Sequence, residues 1–136
     1  MATKRAVLDW TGEGLEFRGG VPGGPPVVID SDGRTGPSPM DAVLLGLAGC
    51  MGVDLVMILE KGRVPLGSVT VDVEGDRAED APRRYTAVRM TYRISGPEPE
   101  HHGKVHRAVE LSRDRYCSVL HSLRPDLDLD IQVEIA

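Results

Sequence analysis

The stretch from Pro39 to about Lys61 decides most of what this chain can become. Ser38 is suited to an N-cap, with Pro39 at the first helical position and Asp41 at the third, a capping box with Asp in place of Glu. Gly62 supplies a C-terminal stop. Between these ends, Val43, Leu44, Leu45, Leu47, Leu55, Val56, Ile58 and Leu59 cover most of the helix circumference. A helix that is apolar all round is a buried one. A chain of 136 residues has one further helix and one sheet with which to cover it. A second copy of the chain is therefore expected as the remaining cover, across a large hydrophobic interface. The longest uninterrupted apolar or glycine run, Ala42 to Val53, is too short to span a bilayer, so no membrane is expected.

The segments on either side read as strands. Ala6 to Trp10, Leu15 to Phe17 and Val27 to Ile29 are three short strands punctuated by Thr11-Gly12, by GGVPGGPP and by Asp30-Ser31-Asp32-Gly33. After the helix, Val69, Val71 and Val73 alternate with polar residues, and Tyr85 to Ile94 is the partner strand. From Glu100 to about Leu123 the pattern is helical, with Val105, Val109, Ser112, Tyr116, Val119 and Leu123 on one face. Leu127, Leu129, Ile131, Val133 and Ile135 alternate as a last strand. The order βββ-α-ββ-α-β predicts an α+β fold, with two main helices and a mostly antiparallel sheet, in one domain over residues 1–136.

Charge and composition narrow the function. A net charge of −5 and an aromatic content of 4% argue against a nucleic-acid partner, which wants basic patches and stacking platforms. The N-terminus MATKRAVLDW has no apolar core of a signal peptide, so the cytoplasm is the expected compartment. Two cysteines there are reduced, redox-active or simply buried rather than a permanent staple. No cofactor and no metal is expected. His102 and His106 have ligand spacing but no third donor beside them in sequence, and they read as solvated helix residues. His121 reads as a surface residue, and Asp126, Asp128 and Asp130 as the solvated edge of a sheet.

Chemistry concentrates on Cys50 and Cys117. Cys50 lies amid Gly46, Gly49 and Gly52, and each interior glycine costs a helix about 1 kcal/mol relative to alanine. Close approach by another element, or room beside the thiol for a ligand, would offset that cost. Taken alone, each cysteine reads as a small core hydrophobe. Taken together, each is central to one of only two helices, and helices packed on one sheet could bring the sulfurs together. One thiol would then attack a peroxide and the other would resolve the sulfenic acid as a disulfide. Asp54, four residues beyond Cys50, needs a partner in a buried helix; an arginine of the partner chain is a candidate.

GPSPMDAVLLGLAGCMGVDLVMIL resembles the first-cysteine helix of the OsmC/Ohr family, and HRAVELSRDRYCSV resembles its second. The order of elements fits along nearly the whole chain. The RYCSV form and the short N-terminal hairpin resemble the less characterised OsmC-like branch. The resemblance implies an intertwined homodimer with two interfacial sites. It also implies a thiol-dependent peroxidase of the oxidative and osmotic stress response, which reduces organic hydroperoxides at the expense of a dithiol reductant. Cys50 matches the peroxidatic position and Cys117 the resolving one. The family's thiolate-steadying arginine is matched by Arg18, with Arg34 the alternative. Where active members carry a Glu after the helix-opening proline, this chain has Met40; Asp41 is the candidate substitute, one helix step of about 100° away. The alternative function is a dimer that binds a small apolar molecule or senses redox state without peroxidase activity.

Overall fold

A computed structural model describes residues 2–136, which form two compact units, 2–43 and 44–136. In the first, strands β1 (Val7–Trp10), β2 (Glu16–Gly20) and β3 (Val27–Asp30) make an antiparallel sheet in the order β1-β2-β3. The turn that leaves β3 is organised by Asp30. Its carboxylate accepts the N–H groups of Asp32 (2.9 Å), Arg34 (3.2 Å) and Thr35 (3.2 Å) and the Thr35 hydroxyl (3.1 Å). These bonds, led by that from Asp32, hold the Asp30 carboxyl below the ordinary aspartate range.

Helix α1 (Pro39–Lys61) opens as its sequence predicts: the Asp41 N–H donates to Ser38 Oγ (3.1 Å), and the Ser38 N–H donates to the Asp41 carboxylate (3.3 Å). Its end differs slightly from expectation. Arg63, not Gly62, takes the left-handed conformation (φ 57°), with the Val64 N–H reaching back to the Leu59 carbonyl (2.9 Å). At 23 residues the helix is long and apolar enough to cross a membrane by length and composition, because Asp41, Glu60 and Lys61 lie at its ends and only Asp54 interrupts the apolar stretch between them. Counting the uninterrupted run alone had suggested otherwise. Leu47, Met51, Leu55 and Leu59, spaced four apart, are nonetheless buried as the core row of the second unit.

That row packs with the sheet β4 (Ser68–Arg77), β5 (Tyr85–Ser95) and β6 (Asp128–Ile135), in the order β4-β5-β6. The β4–β5 pair is antiparallel and β5–β6 is parallel, so five of the six strands lie in antiparallel pairs. Register places Val71, Tyr92 and Val133 in one row and Val73, Met90 and Ile131 in the next, with their side chains in one core. Gly75 is required in β4, since a Cβ there would come 2.7 Å from the Tyr85 ring. The polar face carries an ion-pair ladder: Arg89 joins Glu74 and Asp76, and Arg93 joins Asp72 and Glu134.

The second long helix is broken where the sequence predicts continuity. Helix α2 (His102–Leu111) follows a 3₁₀ turn (Pro99–His101), gives way to a wide π turn over Ser112–Tyr116, and resumes as the short α3 (Ser118–Ser122). The π turn inserts one residue into the hydrogen-bond ladder, so the Cys117 N–H reaches Ser112 O (2.9 Å). One inserted residue turns the following face by about 100°. Tyr116, expected on the apolar face, is exposed, and Cys117 is buried in its place.

Candidate functional site

The break in the second helix builds the site. Cys117 has an extended backbone (φ −67°, ψ 102°) and serves as the N-cap of α3, its sulfur accepting the Leu120 N–H at 3.3 Å. The thiol is fully buried. From α1, Cys50 and Asp54 stand one helical turn apart on the same side. The two sulfurs and an Asp54 carboxylate oxygen lie within 4.8 Å of one another. Cys50 is half-buried. The structure thus brings together the two cysteines that the sequence singles out, though Cys117 lies at a helix break rather than within a helix.

Ser112 and Tyr92 complete the cluster. Ser112 lies on the apolar helix face read from the sequence and Tyr92 within the strand Tyr85 to Ile94, and neither is assigned a role by the sequence. The buried Ser112 hydroxyl donates to Asp54 Oδ2 at 2.7 Å, supplying within the chain the partner that an arginine of a second copy was expected to provide. A lone serine on the Val105–Val109 face was the available hint. Tyr92 is fully buried on β5, and its hydroxyl has no hydrogen-bond partner among the described residues. Burial first, and then the neighbouring Cys117, Asp54 and Cys50, push its phenol upward, so it stays protonated.

Electrostatics separate the Cys117 thiol from an ordinary one. Burial pushes Cys117 up to about 11; the Leu120 N–H opposes this, while Cys50 and Asp54 reinforce it. None of these influences is a cation. Cys117 therefore rests as a neutral thiol at physiological pH.

The other sequence candidates have their own settings. Arg18 is exposed on β2, opposite Asp9 and Val28. Arg34 lies in the turn held by Asp30. Asp41 turns one carboxylate oxygen to the cap of α1, accepting the Ser38 N–H. His102 Nε2 lies 3.3 Å from Pro97 O, His106 is exposed, and the exposed His121 contacts Arg113 O at 3.1 Å. Asp126, Asp128 and Asp130 are all exposed.

Space for a ligand is apolar. A cleft of about 520 Å³ beside Asp54 is lined by Met57, Ile58, Lys61, Leu111 and Tyr116. A groove of about 550 Å³ runs between α1 and β4, over Gly49, Gly52, Val53, Val69 and Val71. A Cβ at Gly52 would meet Val71 at 3.3 Å, so this glycine serves close helix–sheet approach. At Gly46 and Gly49 a Cβ would meet nothing within 4 Å in the chain.

Comparison with known proteins bears on this arrangement. The family model described as "OsmC-like protein" matches residues 31–132. Protein YhfA of Escherichia coli K12 is 34% identical over 132 residues, covering 96% of this chain and 97% of YhfA. A hypothetical protein from Aquifex aeolicus VF5 superposes with a TM-score of 0.87 at 28% identity, covering 100% of this chain and 98% of its own. The organic hydroperoxide resistance protein OhrB of Bacillus subtilis shares the fold at a TM-score of 0.62 and 15% identity, with 99% and 98% coverage.

Proposed function

The chain belongs to the OsmC-like family, and on that premise we propose that it reduces organic hydroperoxides through Cys50 and Cys117. One observation carries the reading: the two thiols come from distant segments and approach within 4.8 Å. Cys50, the more accessible, attacks the peroxide oxygen and becomes a sulfenic acid, releasing an alcohol. Cys117 condenses with it to a disulfide and water, and a dithiol reductant reopens the bond. A structural neighbour that shares the fold, OhrB of Bacillus subtilis, is an organic hydroperoxide resistance protein.

The peroxidatic thiol needs a cation to become a thiolate near neutral pH. Arg18 is the proposed source and Arg34 the alternative, with Asp41 to orient the guanidinium. The apolar clefts suit a substrate with a bulky organic tail rather than hydrogen peroxide. The working form is a cytoplasmic homodimer. Met40, at the position of the family's Glu, favours a second reading, a dimer that binds a small apolar molecule or senses redox state.

The test is intact-protein mass spectrometry after cumene hydroperoxide. Wild type should lose two mass units and regain them with dithiothreitol. Cys117→Ser should stop at the sulfenic and sulfinic acids, and Cys50→Ser should leave the peroxide unconsumed. Turnover of hydrogen peroxide should be slower than that of cumene hydroperoxide. If wild type and Cys117→Ser both stay unmodified, the binding reading replaces the enzymatic one.

A further inference from the structure

We infer that Asp54, held in place by Ser112, is the proton relay of the resolving half-reaction. This inference rests on the peroxidase reading above and names a residue for a step which that reading leaves without a base. When Cys117 attacks the sulfenic acid of Cys50, its S–H proton passes to the Asp54 carboxylate. The S–S bond forms as the S–O bond of the sulfenic acid breaks. Asp54 returns the proton to the departing hydroxide, which leaves as water. A Cys117 sulfur pair becomes the S–S bond and the S–O pair leaves with the oxygen, so Cys117 rises from the thiol level and Cys50 falls from the sulfenic level to the shared disulfide level, and the carboxylate ends as it began.

Geometry and protonation state both require such a group. Cys117 is fully buried, and its thiol is pushed up to about 11. At pH 7 the thiol holds its proton. The step therefore needs an acceptor beside the sulfur at the moment of attack. The groups that face Asp54 are Cys50 on its own helix, Ser112 and Cys117 from the π turn and its end, and Tyr92 from β5; Lys61 lines the adjoining cleft. Tyr92 is held protonated and Ser112 already donates to the carboxylate, so neither can take the proton. Asp54 has an oxygen within 4.8 Å of both sulfurs, the two atoms between which the proton must travel.

Ser112 ties the acceptor to the thiol. Its hydroxyl donates to Asp54 at 2.7 Å, and its carbonyl accepts the Cys117 N–H at 2.9 Å. The π turn thus fixes base and nucleophile from a single residue. This gives the irregular helix a chemical reason, since a regular helix would turn Cys117 away from the buried face.

Stopped-flow oxidation of the wild type with one equivalent of cumene hydroperoxide should resolve two phases: sulfenic acid formation and disulfide closure. Closure should be independent of pH between 6 and 9. A tenfold rise per pH unit would mean that free thiolate does the work, and would overturn the relay. Asp54→Asn keeps an oxygen for the Ser112 hydroxyl. In this variant closure should slow about a hundredfold at pH 7, and the deficit should shrink toward pH 11 as the thiolate forms unaided. Closure at the wild-type rate in the folded variant would also overturn the relay. If Asp54→Asn does not fold, the wild-type pH profile decides alone. Methyl methanethiosulfonate separates this inference from the peroxidase reading. It places a methyl disulfide on Cys50 without peroxide, and Cys117 then displaces methanethiol. The same pH profile and the same loss in Asp54→Asn are expected there even if no hydroperoxide is a substrate.

Discussion

The two units of this chain are held together by opposite means. In unit 44–136 the helix row Leu47, Met51, Leu55 and Leu59 and the strand row Val88, Met90, Tyr92 and Ile94 are all buried in one core. In residues 2–43 only Asp30 is buried, while Val7, Leu8, Trp10, Leu15, Phe17, Val21 and Val27 are exposed. The first region is a sandwich of apolar rows; the second is a hairpin sheet whose best-protected feature is a polar turn. An isolated small sheet of that kind is marginal in water. The comparison teaches that the core region carries its own apolar cover, whereas the hairpin leaves its apolar side chains exposed. The outer side of α1 shares the hairpin's condition, with Leu45, Val53 and Met57 each about three-fifths exposed.

The sharpest way to break the comparison is to open the core. Leu55→Ala should cost about 2–5 kcal/mol of unfolding free energy, measured by urea denaturation at fixed protein concentration. The same truncation at an exposed hairpin residue, Leu15→Ala, should cost less than about 0.5 kcal/mol if the residue stays in solvent. A Leu15 loss as large as that of Leu55 would show that the hairpin has a core of its own.

A second effect concerns cover. The homodimer proposed here should bury the outer side of α1, so Val53→Glu should convert a micromolar dimer to monomer in sedimentation velocity. A charge buried in an interface without a partner costs several kcal/mol, enough to move dissociation by a hundredfold or more. A wild-type monomer at those concentrations, or a Val53→Glu dimer of unchanged affinity, would remove the assembly from the account.

The same contrast explains what could be read from the sequence. Alternation in Val69–Val73 and in Leu127–Ile135, and the apolar density of Pro39–Lys61, are strong periodic patterns and fixed the second unit's layers in advance. The break at Ser112–Tyr116 was not legible, because SRDRY is as good a helix sequence as its neighbours and the insertion shows only in the hydrogen-bond ladder. The cysteine pair was legible from motif resemblance. The Ser112–Asp54 bond was not, since it joins residues 58 apart in sequence and depends on that same break. The parallel pairing of β6 with β5 likewise follows from a chain path that periodicity does not encode.

A smaller effect tests the polar turn. Asp30→Ala removes four acceptor contacts and should lower the melting temperature by a few degrees. Amide exchange should quicken in β2 and β3 and stay unchanged in β5. Acid should mimic the variant. The folded carboxyl lies below its unfolded value, so its contribution is present above the unfolded value and fades as pH falls through the folded one. Quickened exchange in β5 on the same substitution would mean that the turn supports the core as well.

The smallest effect belongs to the other end of the pH scale and to the other unit. Cys117 is raised to about 11 in the folded chain, from about 9 for a free thiol. Below pH 9 both folded and unfolded forms hold the proton, and the shift has no consequence. Between about 9 and about 11 the unfolded chain releases the proton while the folded chain retains it. The unfolded state then binds fewer protons, so folding stability falls as pH rises through this window and levels off above it. Cys117→Ala removes the titration but keeps a small apolar side chain, so its stability should decline less steeply over the same range. The comparison must be made on reduced protein, because a disulfide with Cys50 abolishes the titration in both states. Urea midpoints taken from pH 8 to pH 11 on wild type and Cys117→Ala would show converging curves. Parallel curves would mean that the buried thiol ionises as freely as an exposed one, and that the core unit is less sealed around Cys117 than its zero exposure states.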